Sequence, residues 1–259
     1  MNHHRITTAV LFAFCFVSCF AFSLRSYGQE VIVEEVGESF FNDVWEGDFA
    51  VGVNGTNGNS DNLDVNFTLN LKRETDFAIT ELLATYFYSE NSLGTSTDRV
   101  FTQGRQERKL ANPNFTWFYM GSFEWDRFKS FDSRVALHTG IGIVFLEDDV
   151  RSLKGRIGAG ASREFGGAND EWLPELQLGW DWERHLTERT KLYSNVDYFP
   201  NFEDFADYRL NIRAGFETLL DEELDMRFSL FIFNRFDSTP GVGFEENDLE
   251  YGSALIFGF

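Results

Sequence analysis

The sequence predicts an all-β protein, a transmembrane antiparallel up-and-down β-barrel of about 12 strands. Three observations favour this fold class. The first residues have the order of an export leader, the chain from about Trp45 onward alternates apolar and polar residues, and the last such segment ends on an aromatic residue. Alternation with a period of two is typical of strands that have one apolar and one polar face.

The first 28 residues have the three regions of a secretory signal peptide. Arg5 supplies a positive charge, the segment from Ile6 to Phe22 is almost wholly apolar, and Ser26-Tyr27-Gly28 offers small residues for cleavage. A transmembrane anchor is the alternative, but the apolar run is at the short limit for a bilayer and no basic cluster follows it. We therefore expect residues 1–28 to be a cleaved signal peptide and the protein to be exported.

The composition narrows the choice of fold and partner. Cys15 and Cys19 both lie in the predicted leader, so the exported chain would have no disulfide to hold it together. The chain has 42 acidic and 22 basic residues, which excludes nucleic acid as an expected partner, because nucleic acid binding needs basic patches. We interpret the acidic residues 29–44 as a periplasmic tail and residues 45–259 as the barrel.

The strand segments follow one another with short gaps. We predict 12 of them, at about 45–54, 61–73, 76–88, 98–110, 114–127, 131–146, 150–165, 172–185, 189–200, 205–219, 223–236 and 247–259. An even number places both ends of a bacterial barrel in the periplasm. The segment 98–110 is polar on both faces, which leaves its boundaries open.

The connections alternate in length along the chain. Tight polar turns are predicted at 73–75, 111–113, 147–149, 187–188 and 221–222. Longer connections are predicted at 55–60, 89–97, 166–171 and 237–246. Short periplasmic turns and longer outer loops are typical of outer-membrane barrels.

The polar faces of the segments are expected to line the barrel interior. The predicted lining residues are Arg134, His138, Lys154, Arg156, Glu175, Asp181, Glu183, Asp197, Arg209, Arg213, Glu217, Arg227 and Arg235. They would form either a polar pore or a lumen filled by opposite charges, since 12 strands lie between the packed small barrels and the open large ones. The sequence favours neither over the other.

The last segment carries an assembly signal in this interpretation. Tyr251, Leu255, Phe257 and Phe259 share one face, with Leu249 in register. Such a terminal strand is similar to the C-terminal segment that the barrel assembly machinery recognises in bacterial outer-membrane proteins. Outer-membrane lipid and this machinery are therefore the expected partners.

The chain also resembles a known family, the salt-induced outer-membrane protein family (YdiY-like), a bacterial domain of unknown function. The matching stretches lie between Trp45 and Phe259, nearly the whole predicted barrel. They are Trp45-Glu46-Gly47, Gly58-Asn59-Ser60-Asp61, Leu71-Lys72-Arg73-Glu74-Thr75-Asp76, Asp126-Arg127-Phe128, Phe202-Glu203-Asp204, Asp207-Tyr208-Arg209-Leu210, Asn234-Arg235-Phe236-Asp237 and Asn247-Asp248-Leu249. The resemblance implies a location in the outer membrane of a Gram-negative bacterium and a link to salt stress. It implies no catalytic residues.

These observations lead to one main functional hypothesis and three alternatives. The main one is a narrow pore or an envelope stress-adaptation protein. The alternatives are a closed barrel with a structural or ligand-binding role through its outer loops, a soluble periplasmic lipocalin-like binder, and a barrel hydrolase. Only His138 and His185 follow the leader, and neither has a Ser/His/Asp pattern around it, although a carboxylate site such as Asp181 with Glu183 stays open. We expect no enzyme, cofactor or metal.

Overall fold

A computed structural model of the chain describes residues 45–56, 62–167 and 170–259. It contains 12 strands: β1 Glu46–Thr56, β2 Asn62–Glu74, β3 Ala78–Asn91, β4 Gly94–Lys109, β5 Phe115–Asp126, β6 Ser133–Glu147, β7 Arg151–Phe165, β8 Trp172–Thr187, β9 Thr190–Pro200, β10 Tyr208–Asp221, β11 Met226–Asp237 and β12 Asn247–Gly258. The predicted signal peptide at 1–28, the acidic tail at 29–44 and the β1–β2 connection at 57–61 lie outside the described residues. The predicted strand number is confirmed.

The strands form one closed antiparallel barrel in which each pairs with its neighbours in the chain. Closure comes from β1 and β12, where Asp48 lies opposite Gly258 and Val51 opposite Leu255. Gly47 and Phe259 extend this pairing by exchanging two backbone hydrogen bonds of 3.1 and 2.9 Å. The predicted fold class, an up-and-down barrel, is confirmed.

Alternation along each strand separates an outer face from an inner face. The outer face exposes large apolar residues from strand after strand, including Phe67, Trp117, Leu137, Ile157, Trp180 and Ile232. The inner face carries most of the buried charged residues. No helix in the described part of the chain is long and apolar enough to cross a membrane.

The two ends of the barrel differ. At one end, called the turn end here, residues 75–77, 110–114, 148–150, 188–189 and 222–225 connect the strands. At the other end, called the loop end, the described connections are 92–93, 127–132, 201–207 and 238–246, together with 166–167 and 170–171 on either side of a gap. The N-terminal start of β1 and the C-terminal end of β12 both lie at the turn end.

The predicted long connection at Ser89 to Thr97 is wrong. The β3 and β4 strands continue until only Ser92 and Leu93 separate them, and Asn91 pairs with Gly94. Gly94 has a φ of 121°, a conformation that favours glycine, and the Asn91 side chain accepts a 2.9 Å hydrogen bond from the Leu93 amide. The polar residues that suggested a loop are instead the tip of a hairpin.

The open boundary at 98–110 is settled by the same hairpin. Strand β4 is complete, with Gln103, Arg105 and Glu107 on its inner face, because their strand partners also point inward. Gln106 and Arg108 lie on the outer face near the turn end. The sequence of this strand is polar on both faces because, near the turn end, its outer face extends beyond the apolar band.

Glycines on the inner face of β6 to β8 make room for large side chains. Gly140 and Gly158 are strand partners, and the fully buried Phe118 ring lies in the same cross-strand row. A Cβ atom added at Gly158 would lie 2.7 Å from the Phe118 ring. Phe118 thus lies flat against the wall and packs with Met120 and Phe199.

Candidate functional site

The lumen near the loop end is bridged by a network of charged side chains, called the loop-end network here. Its members are Arg99, Glu124, Asp126, Lys129, Arg134, Glu164, Arg235, Asp237, Asp248 and Glu250. At its centre Arg235 donates to Glu124 and, over 3.2 Å, to Asp126. Strands β11 and β5 are six positions apart in the closed order of 12, so this contact joins opposite walls.

Two more arginines extend the network around the lumen. Arg134 on β6 donates to Glu164 and, over 2.7 Å, to Asp237 on β11. Arg99 on β4 is fully buried and donates to Glu250 on β12. Each contact joins strands that are four or more positions apart, except Arg134 to Glu164, which joins neighbours. The lumen is therefore crossed in several directions at this level.

A layer of phenylalanines lies on the turn-end side of the network. The rings of Phe87 and Phe101 approach the Phe233 ring at centroid distances of 6.4 and 6.1 Å, and Phe231 joins Phe87. The Arg99 guanidinium lies 4.8 Å from the Phe87 centroid and 5.2 Å from the Phe233 centroid. Cation–π attraction thus ties the charged network to the aromatic layer.

The turn-end half of the lumen contains a cavity, called the vestibule here. It consists of two contiguous parts of about 830 and 440 Å³, which share Arg105, Asp181, Arg213 and Phe233 in their walls. Glu223, Leu224 and Asp225 of the β10–β11 turn line the larger part, so it faces the turn end. The walls of this larger part carry eight acidic and five basic side chains, so its net charge is negative.

A second group of ion pairs lies in the wall of the vestibule, on the inner faces of β7, β8 and β9. Arg156 donates to Asp181 and, over 3.2 Å, to Asp197. Asp181 also lies 3.0 Å from Arg105 across the lumen, and the fully buried Gln177 donates to Asp197 over 2.9 Å. The neighbouring Gly179 leaves the space, since an added Cβ there would lie 2.6 Å from Asp197 and 2.9 Å from Arg156.

A third group surrounds Glu175 near the loop end. Arg209 donates to its two carboxylate oxygens over 2.8 and 2.7 Å, and Ser162 donates to it over 2.8 Å. His138 Nε2 lies 3.3 Å from the same carboxylate, and its ring packs at a tilt of 35° against Phe199, with the centroids 4.8 Å apart. Both Ser162 and His138 contact Glu175 rather than each other, so this arrangement has no nucleophile–base pair.

The remaining predicted lining residues lie around the turn-end mouth. Arg227 is 3.4 Å from both Asp48 and Glu217. Glu183 contacts Lys191 at 3.3 Å and His185 at 3.0 Å. Lys154 pairs with Glu147 at 2.9 Å. All 13 predicted lining residues lie on inner faces, and nearly all of them are in ion pairs.

Arg213 differs from the others. It forms no hydrogen bond or ion pair with any residue in the described ranges, and it lines both parts of the vestibule. Its guanidinium lies 5.2 Å from the Phe233 ring centroid. Arg209, four residues earlier on the same face, is fully occupied by Glu175, so the structure separates two residues that the sequence treats alike.

Sequence reasoning missed the inward phenylalanines and part of the loop-end network. Phe231 and Phe233 lie on the inner face of β11. Residues 228–233 are apolar on both faces apart from Ser229, so alternation does not show which of the phenylalanines point inward. Glu124 and Asp126 lie on the inner face of β5, although they are not among the predicted lining residues. One signal was available: Phe233 lies two residues before Arg235 and therefore on the same face of the strand as this predicted lining residue.

The residues of the predicted assembly signal lie on the outer face of β12. Tyr251, Leu255 and Phe259 are exposed there, and Phe257 stacks on Phe49 of β1 at 5.2 Å. In the described residues, no group of three or more His, Cys, Asp or Glu side chains is arranged to hold a metal ion.

Comparison with known proteins places the chain in a family without assigned function. The family model described as "Protein of unknown function, DUF481" matches residues 49–259. This agrees with the resemblance to a domain family of unknown function. No curated protein matches the sequence.

Solved structures with a similar fold are distant in sequence. The COG4313 outer membrane channel from Pseudomonas putida F1 is 10% identical, with a TM-score of 0.47 over 83% of this chain and 95% of that chain. The β domain of the Bordetella autotransporter BrkA is 10% identical, with a TM-score of 0.36 over 83% and 97%. A Pseudomonas aeruginosa FadL homologue is 8% identical, with a TM-score of 0.34 over 83% and 73%.

The central ion pair of the loop-end network should show strong energetic coupling. We expect Glu124→Gln and Arg235→Gln each to destabilise the barrel, because each leaves a buried charge without its partner. In the double variant the loss should be smaller than the sum by about 2 kcal/mol. Urea unfolding of the refolded barrel, followed by tryptophan fluorescence, measures the three free energies.

The exposed pair Lys109 and Glu74, 2.8 Å apart at the turn end, is the matched control. Its double-variant cycle should give a coupling of less than about 0.5 kcal/mol, as for other solvent-exposed pairs. Equal coupling in the two cycles would contradict a buried, structurally important contact between Arg235 and Glu124.

Proposed function

The chain belongs to the DUF481 family, whose description assigns no function, and we propose that it is an outer-membrane barrel that forms a narrow pore with a plug of ion pairs. The vestibule is the entrance on the periplasmic side. The loop-end network and the phenylalanine layer together are the plug. Conduction requires the plug to rearrange.

The outer face supports residence in the outer membrane. Exposed apolar residues occur on strands all around the barrel, and a soluble protein rarely exposes such a continuous band. The strands have 11 to 16 residues. At about 3.3 Å per residue and a tilt of about 40°, they reach roughly 28 to 40 Å, enough for the apolar band of an outer-membrane barrel. The same face counts against a soluble lipocalin-like binder.

The vestibule is the observation that carries the pore proposal. A cavity of about 830 Å³ with charged walls opens at the turn end and reaches side chains at mid-strand, such as Phe101 and Arg213. A barrel with a purely structural role could fill this space with apolar side chains, as small barrels do. Here the space is open and lined by charged side chains, and the rings of Phe101 and Phe233 separate it from the loop-end network.

A closed barrel is the second candidate, and the contact of Arg235 with Glu124 favours it. This contact joins opposite walls, so the lumen is bridged in this conformation. In that case the loops at the loop end would carry the function, by binding a ligand or by structural support of the envelope. The bilayer experiment below distinguishes the two candidates.

Further parts of the proposal rest on the sequence. A role in adaptation of the envelope to salt comes from the family resemblance alone. Assembly through the last strand, with Phe259 and Phe257 as the recognised residues, is supported by the exposure of Phe259 at the end of the barrel and by the stacking of Phe257 on Phe49. The proposal contains no catalytic step, because neither His138 nor His185 lies beside a nucleophile.

Membrane residence is tested by fractionation. The protein should be recovered in outer-membrane vesicles and should change its mobility in gel electrophoresis on boiling, since a folded barrel resists detergent until it is heated. Recovery in the soluble periplasm, without a heat-dependent shift in mobility, would contradict the proposal and would favour the alternative of a soluble lipocalin-like binder.

Single-channel recording tests the plug. In a planar bilayer the wild-type barrel should give rare or small current steps. The double variant Arg235→Ser with Glu124→Ser should give steps that are several times more frequent or larger. The open state should prefer cations, because acidic side chains outnumber basic ones in the vestibule.

The double variant Lys109→Ser with Glu74→Ser is the control for this recording, because this pair lies at the exposed turn-end rim and not across the lumen. It should behave like the wild type. A silent bilayer for all three proteins, each shown to be folded by heat-dependent mobility, would favour the closed barrel.

The proposed salt role is tested in cells. A strain without the gene should grow more slowly than its parent at raised sodium chloride and equally well at low salt. At raised sodium chloride, a gene copy with the plug variant, Arg235→Ser with Glu124→Ser, should restore the growth rate to a different extent from a wild-type copy. Equal growth of all strains at every salt concentration would remove the salt role and leave the pore proposal unchanged.

A further inference from the structure

We infer that the vestibule contains a binding site for a small monocarboxylate, in which Arg213 holds the carboxylate and Phe233 and Phe101 contact the apolar body of the ligand. The inference deepens the proposed function, because it assumes that the vestibule is open to solutes. It does not require conduction, since binding from the turn end is sufficient.

Arg213 is the unpaired basic residue of the vestibule among those that the structure describes. The other five basic residues in its walls are all in ion pairs, Lys154 with Glu147 at 2.9 Å. Arg105 lies 3.0 Å from Asp181, and Arg227 lies 3.4 Å from Asp48. Lys191 and Lys72 pair with Glu183 and Glu74 at 3.3 and 3.2 Å. In a chain with 42 acidic residues, a lumen arginine without a carboxylate is unexpected.

Two carboxylates, those of Asp181 and Asp197, attract the guanidinium of Arg213, but both accept hydrogen bonds from other residues. Asp181 accepts from Arg156 and, over 2.8 Å, from Asn195. Asp197 accepts from Arg156 and Gln177. Neither carboxylate forms an ion pair or hydrogen bond with Arg213 in the described part of the chain, so its guanidinium keeps its donors for a ligand. A guanidinium binds a carboxylate through two parallel hydrogen bonds.

The orientation of Arg213 is fixed before a ligand binds. Its guanidinium lies over the Phe233 ring at 5.2 Å, and Phe233 is almost fully buried. Arg99 lies at the same distance from this ring, so Phe233 is itself held by the loop-end network. A side chain held in this way loses less conformational entropy on binding.

Two further polar groups face the same cavity without a partner. Asn211, two residues before Arg213 on the inner face of β10, makes no hydrogen bond to a described residue. Gln103, on the opposite strand β4, also makes none. With the rings of Phe101 and Phe233, 6.1 Å apart, they form a wall that is apolar in one part and polar in another. Such a wall suits a ligand with an apolar body and one polar end.

The charge of the mouth limits the ligand to a single negative charge. Glu46, Glu223 and Asp225 line the vestibule at the turn end, and the wall as a whole is acidic. These charges repel multivalent anions such as phosphate or citrate more strongly than a monocarboxylate. A single guanidinium can balance one carboxylate but not more.

Calorimetric titration of the refolded wild-type barrel in detergent with benzoate tests the site. Benzoate should bind, and Arg213→Gln should weaken binding at least tenfold. Arg213→Lys, which keeps the charge but loses the two parallel hydrogen bonds, should give an intermediate affinity. Arg108→Gln, which changes an exposed arginine on the outer face, should bind like the wild type.

Benzylammonium is the matched ligand, since it has the same ring and the opposite charge. It should bind at least tenfold more weakly than benzoate. Benzoate binding that is absent, or equal in wild type and Arg213→Gln, or no tighter than benzylammonium binding, would overturn the inference. If Arg213→Gln does not fold, the comparison of wild type with Arg213→Lys decides, and equal affinities overturn the inference.

The outcome is separate from that of the pore proposal. Benzoate binding that depends on Arg213, in a barrel whose plug variants stay silent in a bilayer, would refute the pore and keep the site. Current steps in the plug variant, with benzoate affinity independent of Arg213, would keep the pore and refute the site.

Discussion

Closure of the barrel is the constraint on which the rest of the structure depends. A strand edge left open in an apolar surrounding leaves backbone groups unpaired, at a cost of several kcal/mol each. The pairing of β1 with β12 removes the last edge, and Gly47 with Phe259 completes it. Once the sheet is closed, every side chain points either outward or into the lumen, so the period-two pattern of the sequence becomes an apolar outside and a charged inside.

The closed lumen then determines how its charges are arranged. A charge in a narrow interior loses much of its hydration, and an unpaired one costs far more than a paired one. Accordingly the arginines at the loop end have carboxylates from distant strands, as Arg235 has Glu124 and Arg134 has Asp237. Glycines on β6 to β8 serve the same end, because side chains such as Arg156 can lie flat across them to reach a partner. Toward the turn end the lumen widens into the vestibule, where Arg213 has no carboxylate partner among the described residues although the other basic side chains are paired.

The sequence predicts the strands well and the lumen poorly, for physical reasons. Alternation is local, so the 12 segments and most connections can be read from neighbouring residues. The hairpin tip at Asn91 to Gly94 was mistaken for a long loop, because polar residues at the tip of a projecting hairpin have the composition of a loop. Pairing across the lumen depends on strand order, stagger and side-chain reach, none of which is local. Arg209 and Arg213 therefore look equivalent in the sequence, although one meets Glu175 two strands away and the other meets no carboxylate.

In the proposed pore, the ion pairs of the plug would give the lumen a conformational choice that an apolar filling would not. A packed apolar core opens only by exposing its surface to water, at about 25 cal/mol for each Å². Ion pairs that separate next to a water-filled vestibule regain hydration, which offsets part of the lost attraction. The phenylalanine layer between the network and the vestibule limits this exchange, because Phe233 and Phe101 cover the charges from below. In the proposed pore, movement of these rings would control access of water to the network, and Arg213, lying over Phe233, would connect that step to a ligand in the vestibule.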